Sequence, residues 1–376
     1  MTNRSSGLNK GTEFKERIPK LQADSVAQGV DAVVVGPGPD LRYLTGYNAH
    51  LSERITALVT VSDRAPVVLV PKLEEQGTRS TSLPTLGVSV VTWEETEDPF
   101  FALSELLDGA DTVAVNDLFP ARWLLKAQAA LPQVGFVTAG PLVSPMRERK
   151  SPEEVEFLRE AAEAIDEVHA QVANWLAPGL SERDVALKIQ AAILERHSSA
   201  DFIIVGSGPN SSAPHHDYSD RIMSKGEPVV VDIGGTMPSG YCSDSTRTYF
   251  LGEPDPEFAR HYAVLQQAQA AAVEAVQPGA TCESIDAVAR GILTEAGLGE
   301  QFLHRTGHGI GLETHEEPYI VAGNDLALEP GMAFSVEPGF YDGGKWGARI
   351  EDIVVCAESG VDPLNRRPHE LVIVDC

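Results

Sequence analysis

The segment VVVDIGGTMPSGYCSDSTRTYF, residues 229–250, predicts two β-strands joined by a turn that contains Pro238 and Gly240. Asp232 ends the apolar run of the first strand, and Asp244 lies in the returning strand. A bare carboxylate in a buried strand is costly unless its charge is compensated. Either aspartate alone is explained by a structural role such as capping a turn. The two together raise the question of what compensates them.

Two further acids follow apolar runs near the end of the chain. Glu337 comes directly after MAFSV, and Glu351 lies inside ARIEDIVVC, two positions after Arg349. An ion pair with Arg349 would account for Glu351 alone. Four carboxylates that each interrupt a buried strand would repel one another, and they could not all remain ionised. Divalent cations remove that conflict, so the set predicts a metal centre.

The segment TGHGIGLETHEEP, residues 306–318, supplies an imidazole for this centre. His308 is flanked by Gly307 and Gly309, whose small size allows close backbone approach. One imidazole with several carboxylates suits manganese, cobalt, iron or zinc. Five ligands are too many for a single catalytic zinc, so the pattern predicts two ions that share bridging carboxylates.

These motifs resemble the pita-bread metallopeptidases, which include methionine aminopeptidase, aminopeptidase P, prolidase and creatinase. The resemblance covers about residues 150–376 in order and spacing. It implies that two divalent ions, with Mn²⁺ expected and Co²⁺, Zn²⁺ or Fe²⁺ as alternatives, bind Asp232, Asp244, His308, Glu337 and Glu351. Twelve positions separate Asp232 from Asp244 where the family pattern has eleven, and we expect the turn to hold the added residue.

The resemblance also implies two histidines on the substrate side of the metals. His215, in NSSAPHHDYSD, and His315, in THEEP, match those positions. If His215 and His216 lie on a strand, their side chains point to opposite faces, and we expect His215 to enter the cavity. Glu313 and Glu316 receive no role beyond a solvated or supporting one.

The T-H-E-E-P version, preceded by a separate domain, resembles the proline-specific branch. It implies hydrolysis of the peptide bond before proline in Xaa-Pro dipeptides. The alternatives are an aminopeptidase P that trims longer Xaa-Pro peptides and a non-catalytic pita-bread binding scaffold. We assign catalytic roles to His215, His315 and Glu337, with Glu337 relaying a proton. Thr246 and Arg349 would support the carboxylates, and Arg349 could alternatively bind a substrate carboxylate, as His215 and His315 would bind the substrate.

The chain is predicted to divide into an α/β N-terminal (creatinase-like) domain, residues 1–147, and an α+β pita-bread catalytic domain, residues 148–376. The first part alternates five valine-rich strands with helical segments, at 31–35, 55–61, 65–70, 87–93 and 111–115 for the strands. The second begins at KSPEEVEF, where Ser151 can cap a helix, Pro152 suits its first position and Glu154 completes a capping box.

A faint repeat lies within the second part. APGLSERDVALKIQAAILE (177–195) resembles QPGATCESIDAVARGILTE (277–295) at an offset of 100 residues. In both, a helix ends at Pro-Gly and a Ser or Thr begins the next helix. The repeat predicts two related halves with a pseudo-twofold relation and a site between them.

The composition and charge of the chain limit the partners that we expect it to bind. With 55 acids against 29 bases the net charge is -26, which repels nucleic acid and anionic membranes. No apolar run approaches the ~18 residues that a membrane span needs, and the start, MTNRSSGLNKGTEF, has no secretory pattern. Four cysteines without a C-x-x-C pair suit reduced thiols in a cytoplasmic protein. We therefore expect a small peptide with proline at its second position as partner, and the resemblance implies a homodimer.

Overall fold

The computed structural model describes residues 14–376. The start of the chain, in which the sequence lacks an apolar run, lies outside the described residues up to position 13. The chain forms two compact units, the first ending at Met146 and the second running over Arg147–Cys376. Within residues 14–376, no helix combines the length and apolar character that crossing a membrane requires.

From residue 14 onward, the first unit contains a mixed six-stranded sheet and six α-helices. Its strands are Ala32–Val35 (β1), Ala57–Val61 (β2), Val67–Pro71 (β3), Ser89–Trp93 (β4), Thr112–Val115 (β5) and Gly135–Thr138 (β6). Its helices are Phe14–Ala27 (α1), Pro39–Thr45 (α2), Glu75–Arg79 (α3), Pro99–Leu106 (α4), Ala121–Ala130 (α5) and Gly140–Glu148 (α6), the last of which continues two residues beyond the unit. The five strands expected from the sequence are confirmed. The sixth, β6, was not predicted because it is short and mostly exposed.

The strands of this sheet follow the order β4-β3-β2-β1-β5-β6. Strand β2 runs antiparallel to β1 and β3, whereas β4, β5 and β6 pair in parallel with their neighbours. Val34 of β1 and both valines of β5 pack with Leu69, Trp93 and Trp123 in one buried cluster. Burial of these side chains is the main force that stabilises the sheet against its helices.

The second unit contains three sheets flanked by four long helices. The helices are Pro152–Val172 (α7), Glu182–Ile193 (α8), Pro256–Glu274 (α9) and Cys282–Glu295 (α10). The strands are Ser199–Ser207 (β7), Pro228–Thr236 (β8), Cys242–Leu251 (β9), Gly307–Gly309 (β10), Glu316–Ile320 (β11), Ala333–Val336 (β12), Gly339–Asp342 (β13), Trp346–Arg349 (β14), Asp352–Cys356 (β15), Val361–Pro363 (β16) and Val372–Val374 (β17). They form sheets in the orders β17-β9-β8-β7, β11-β10-β12-β15-β16 and β13-β14.

The start of α7 confirms the predicted helix signal. The Ser151 side chain accepts a hydrogen bond from the Glu154 amide, and the Glu154 carboxylate accepts one from the Ser151 amide. Pro152 occupies the first turn, where its missing N–H costs nothing. This reciprocal cap fixes where the first long helix of the second unit begins.

The structural repeat is also confirmed. Ser181 begins α8 and Thr281 begins α10, and each forms an isolated antiparallel bridge, to Ile222 and to Ala327 respectively. The turn before each helix repeats the same backbone bond: the Gly179 amide donates to Met223 and the Gly279 amide donates to Leu328. The offset of 100 residues therefore describes real structural equivalence.

Candidate metal centre

The hairpin of β8 and β9 places two aspartates on one face. Its ladder runs without interruption from Pro228 opposite Phe250 to Thr236 opposite Cys242. Asp232 lies opposite Thr246 and Asp244 opposite Gly234, so both carboxylates emerge on the same side of the sheet. Because the ladder is regular, a residue added relative to the family pattern can only lie in the turn at 237–241.

The second half supplies the other three side chains from short elements. His308 is the central residue of β10, and Glu337 directly follows β12. Glu351 was predicted to interrupt a strand; this is wrong, because it lies in the two-residue connection between β14 and β15. The glycines beside His308 are required: a Cβ on Gly307 would lie 1.8 Å from the Ser335 carbonyl oxygen.

The structure brings all five predicted ligands together. Asp232, Asp244 and Glu351 each offer an oxygen within 4.8 Å of the others, as do His308, Glu337 and Glu351 with their own ligand atoms. The Nε2 atom of His308 lies 3.2 Å from Glu337 Oε1 and 3.6 Å from Asp244 Oδ2. Glu351 belongs to both groups, as a carboxylate shared between two ions would.

Unpartnered oxygens show that a cation fits this site. Asp232 Oδ1 and Glu351 Oε1 are fully buried, and neither has a hydrogen-bond partner among the described residues. A buried carboxylate oxygen without a donor is costly, and native structures rarely contain one. An oxygen-rich donor set with one imidazole suits divalent transition ions, so the residues present fit a metal.

The protonation of the cluster leads to the same conclusion. Burial, followed by the charges of neighbouring carboxylates, raises the pKa of Asp244 and of Glu351 well above their ordinary values. Burial also acts to raise the pKa of Glu337, but the hydrogen bond and charge of His308 hold it below the ordinary value. The protein alone therefore cannot keep every carboxylate of the cluster ionised, whereas bound cations would.

Arg349 and Thr246 hold the carboxylates in place. Arg349 donates from one terminal nitrogen to Asp232 Oδ2 at 2.5 Å and from Nε to Thr246 Oγ1 at 3.0 Å. Thr246 in turn donates to Glu351 Oε2 at 2.8 Å. The other terminal nitrogen of Arg349 donates to the Tyr341 hydroxyl and to the Pro214 carbonyl. All three guanidinium nitrogens are engaged, which speaks against the alternative role of Arg349 as a substrate ligand.

A cavity of about 960 Å³ lies over the cluster, within the second unit. It is lined by the five predicted ligands and also by Gln190, Ala200, Asp201, Phe202, Ile203, Ile204, His215, Asp217, Tyr218, His304, Arg305, Thr314, His315 and Arg349. Side chains of both charges and an apolar wall from β7 thus surround the candidate ligands, as recognition of a small polar molecule requires.

The two adjacent histidines differ in their surroundings. His215 lines the cavity, whereas Nε2 of His216 lies 2.9 Å from Glu182 Oε2. Both residues are in the irregular segment before β8, so the alternation of side chains along a strand is not what separates them. Glu182 separates them instead, since its buried carboxylate also accepts hydrogen bonds from Ser207 and Ser219 on either side of this segment.

His315 lies beside His308, with ring centroids 4.0 Å apart and an interplanar angle of 74°. Burial, together with the neighbouring His308, lowers the pKa of His315 to about 4. The adjacent Glu316 was expected to be solvated or supporting. It is buried and pairs with Arg147 and, at 2.8 Å, with Lys150, so it anchors the segment that carries His315.

Sequence reasoning missed His304 and Arg305, the two residues that precede the T-G-H-G motif and line the cavity. Nε2 of His304 lies 2.9 Å from the Tyr341 hydroxyl, which also accepts from Arg349. Their position in the sequence could have revealed them. Residues just before a strand that carries a candidate metal ligand lie near the same cavity.

Five clustered candidate ligands beneath a cavity on a duplicated α+β fold are the arrangement of a metal-dependent hydrolase. Residues 156–358 match the model of metallopeptidase family M24, and residues 17–149 match the creatinase/prolidase N-terminal domain. The chain belongs to metallopeptidase family M24 and is a hydrolase of peptide bonds.

Three relatives show how far the similarity extends. "Probable dipeptidase PepE" of Mycobacterium tuberculosis strain H37Rv is 50% identical over 363 residues, 96% of each chain. A protein named Xaa-Pro dipeptidase from Lactobacillus delbrueckii subsp. lactis is 35% identical and covers 95% of this chain and 98% of its own. The crystal structure of dipeptidase PepE from Mycobacterium ulcerans superposes with a TM-score of 0.93 at 49% identity, covering 97% of this chain and 98% of its own.

Proposed function

We propose that this enzyme hydrolyses the peptide bond before proline in Xaa-Pro dipeptides. The observation that carries the proposal is the convergence of Asp232, Asp244, His308, Glu337 and Glu351 beneath a cavity that also exposes His215 and His315. The relative named Xaa-Pro dipeptidase, which matches the chain over nearly its whole length, supports the same substrate class.

These five side chains would hold two divalent cations, with Mn²⁺ as our first choice. When bound, such a pair supplies Lewis acidity that makes water nucleophilic near neutral pH and polarises a carbonyl. Arg349 and Thr246 fix Asp232 and Glu351 through direct hydrogen bonds, so both carboxylates are oriented before any ion arrives.

The remaining roles fall to residues that line the cavity. Glu337 accepts a proton from the attacking water and passes it to the departing proline nitrogen. A hydrogen bond from Ser335 to Glu337 Oε1, 3.0 Å long, holds that carboxylate in position. His215 and His315 bind the scissile carbonyl and donate hydrogen bonds to its oxygen as negative charge develops there.

The chemistry of the substrate explains why such a site must recognise the shape of the proline ring and the charged ends of the dipeptide. A bond before proline is a tertiary amide with no N–H, so it lacks the donor through which extended peptides are usually bound. The half-buried side chains of Phe202 and Tyr218 give the cavity an apolar wall for packing against a small substrate. Recognition then depends on van der Waals contact and on the charged termini.

A hydrolysis panel tests the proposal. The Mn²⁺-loaded enzyme is offered Leu-Pro, Leu-Pro-Gly and Leu-Gly, with metal-stripped enzyme as control. We expect rapid cleavage of Leu-Pro, slow cleavage of Leu-Pro-Gly, and none of Leu-Gly or by stripped enzyme. Preference for the tripeptide would instead assign an aminopeptidase P. Absence of cleavage with no stoichiometric metal would assign a binding scaffold.

Three further expectations, on domains, assembly and compartment, accompany this proposal. We take residues 1–147 and 148–376 as the two domains, a homodimer as the working assembly and the cytoplasm as the compartment. Light scattering on the purified full chain measures the assembly directly. A mass of twice 40.3 kDa supports the dimer, and a mass of 40.3 kDa contradicts it.

A further inference from the structure

His215 lies at the tip of a tight turn. The His216 amide donates to the Ala213 carbonyl at 3.2 Å, which closes a four-residue turn with Pro214 and His215 in its middle. Pro214 suits the second position of such a turn, because its ring fixes φ there. His215 is exposed and lines the cavity, and among the described residues no hydrogen bond or ion pair holds its ring. The position of this ring therefore depends on what fixes the turn.

One flank of the turn is tied to the candidate metal centre. The Pro214 carbonyl accepts a hydrogen bond of 3.2 Å from the Arg349 guanidinium, which also donates to Asp232. A carbonyl oxygen accepts donors over a broad range of directions. This single bond therefore acts as a pivot, and a second contact is needed to fix the direction in which His215 points.

The other flank of the turn ends on Glu182. Nε2 of His216 lies 2.9 Å from Glu182 Oε2, and because an ionised carboxylate can only accept, the ring donates. Burial acts to raise the pKa of Glu182, but hydrogen bonds from Ser219, His216 and Ser207 hold it below the ordinary value. A hydrogen bond to an ionised acceptor is stronger than one between neutral groups, so this contact is a firm anchor.

Glu182 also fixes both ends of the segment that carries the turn. The Ser207 amide donates to its Oε1 at 2.8 Å, and the Ser219 amide donates to its Oε2 at 3.0 Å. Glu182 itself is buried in the first turn of α8, which the Ser181 side chain caps. The segment 207–219 is thus closed around one carboxylate on a helix, and His216 is its contact directly beside His215.

The second half supports its cavity histidine in a comparable way. His315 is followed by Glu316, which is buried and pairs with Lys150 at 2.8 Å. In both halves, the residue directly after the cavity histidine ends in a buried contact with a group of complementary charge or polarity. The two contacts use different chemistry, so what they share is the effect of fixing the backbone next to the histidine.

We propose that His216 and Glu182 are positioning residues that hold His215 in place to bind the scissile carbonyl. The inference rests on the proposed function, in which His215 donates a hydrogen bond to the developing oxyanion. Such a donor helps only where it is aimed at the oxyanion, and a displacement of about 1 Å can lower the rate on the order of 100-fold. His216 acts through the backbone of the turn, because its own ring points to Glu182.

The kinetic test is a double-mutant cycle on Leu-Pro with Mn²⁺-loaded enzyme. It compares wild type, His215→Ala, His216→Ala and the double variant. We expect His216→Ala alone to lower kcat about 10- to 30-fold and to change KM less than about threefold. In the His215→Ala background the same substitution should lower kcat less than about threefold, because the residue that it positions is gone. Equal losses in both backgrounds would overturn the proposal, and so would an unchanged kcat of His216→Ala.

A conservative variant and a control in the same segment sharpen the cycle. His216→Gln keeps an N–H donor that can reach Glu182, so kcat should stay within about threefold of wild type. A loss as large as that of His216→Ala would contradict the role of the hydrogen bond. Ser212→Ala removes an exposed hydroxyl that donates to the Pro209 carbonyl, and its kcat should equal that of wild type.

Hydrogen exchange separates this inference from the proposed function, because it needs neither metal nor turnover. The amides of His216 and Ser219 are hydrogen-bonded within the anchored segment. Mass spectrometry of the metal-free protein should show faster exchange over residues 213–220 in His216→Ala than in wild type, His216→Gln or Ser212→Ala. Unchanged exchange in His216→Ala would overturn the positioning role. Failure of wild type to cleave Leu-Pro, with this exchange difference present, would contradict the proposed function alone.

Discussion

The two halves of the second unit build the same framework and then use different chemistry to support it. His169 of α7 and Gln269 of α9 are equivalent at the offset of 100 residues, and both are buried. The ring of His169 lies 3.0 Å from the Ser245 carbonyl, next to Asp244. The amide of Gln269 lies 3.5 Å from Asp352, next to Glu351. A titratable ring thus supports one ligand strand and a neutral amide the other.

The two halves of the second unit also differ in how they hold the candidate ligands. The first presents two aspartates on a continuous β8–β9 ladder, where backbone hydrogen bonds fix their positions. The second presents His308, Glu337 and Glu351 on or beside strands of three to five residues. Glu351 depends on the Thr246 hydroxyl from the first half. The comparison teaches that the first half positions its carboxylates through its own backbone ladder, whereas the second half also depends on a side chain of the first.

The largest expected effect comes from removing a ligand of the hairpin. Asp244→Ala should lower kcat/KM at least about a thousandfold and remove bound metal, because it deletes an oxygen around which the other ligands cluster. Thermal stability of the metal-free protein should not fall, since the substitution relieves repulsion among buried carboxylates. Kinetics, elemental analysis and calorimetry check the three parts. Asp325→Ala, an exposed loop aspartate, is the control, and unchanged activity of Asp244→Ala would refute the ligand assignment.

His215 and His315 come one from each half, and both should matter to catalysis rather than to metal binding. His315→Ala and His215→Ala should each lower kcat about 100-fold while the metal content stays that of wild type, as for loss of a donor to a developing oxyanion. Stopped assays with parallel elemental analysis measure both quantities. Loss of metal from His315→Ala would show that His315 is itself a ligand.

The equivalent first residues of α8 and α10 allow a matched comparison of how much each contributes to the free energy of unfolding. Glu182 follows the cap of α8 and accepts hydrogen bonds from Ser207, Asn210 and Ser219, whereas its equivalent Cys282 packs in an apolar core. Glu182→Ala should cost about 3 kcal/mol or more, because several donors lose their acceptor. Cys282→Ala should cost about 1 kcal/mol, a typical value for a small core truncation. Urea unfolding measures both, and equal costs would deny the special role of Glu182.

The last expected effect appears only on acidification. Burial, with the charge of Arg247 next, lowers the pKa of His169 from 6.5 to about 3. The unfolded chain therefore takes up a proton below pH 6.5 that the folded chain refuses until about pH 3. The stability associated with the neutral ring is present above pH 6.5 and is lost as the pH falls through this window.

His169→Gln makes the first half resemble the second and should flatten that decline. Unfolding free energies of wild type and variant are compared between pH 7 and pH 4. The charged groups near the ring, Arg247, Arg367 and Asp352, are the same in both proteins, so they cancel in the comparison. Parallel curves across the window would show that His169 does not contribute to acid sensitivity.

The sequence could predict what local patterns and the family resemblance specify. The cap at Ser151 and the repeat at 177–195 and 277–295 depend on short segments, and the structure confirms both. The four acidic candidate ligands were found because acidic residues in apolar runs require compensation, and they do cluster with His308. Their roles stay predictions until metal is measured.

The features that the sequence could not predict depend on contacts between residues that are far apart in the sequence. Lys150 and Glu316 are 166 positions apart, so nothing local revealed that Glu316 is buried in an ion pair. The separation of His215 from His216 is determined by Glu182, more than thirty residues earlier. The stacking of Arg305 on the ring of Tyr319 also depends on the pairing of β10 with β11. Tertiary packing, not local propensity, decided each of these.

Metal stoichiometry tests the central claim most directly. The full chain is stripped of metal, equilibrated with Mn²⁺, freed of excess ion and analysed for manganese per chain, beside Asp244→Ala. The convergence of Asp232, Asp244, His308, Glu337 and Glu351 predicts about two ions per wild-type chain and a clear deficit in the variant. Less than one ion per wild-type chain, or equal content in both proteins, would contradict the account.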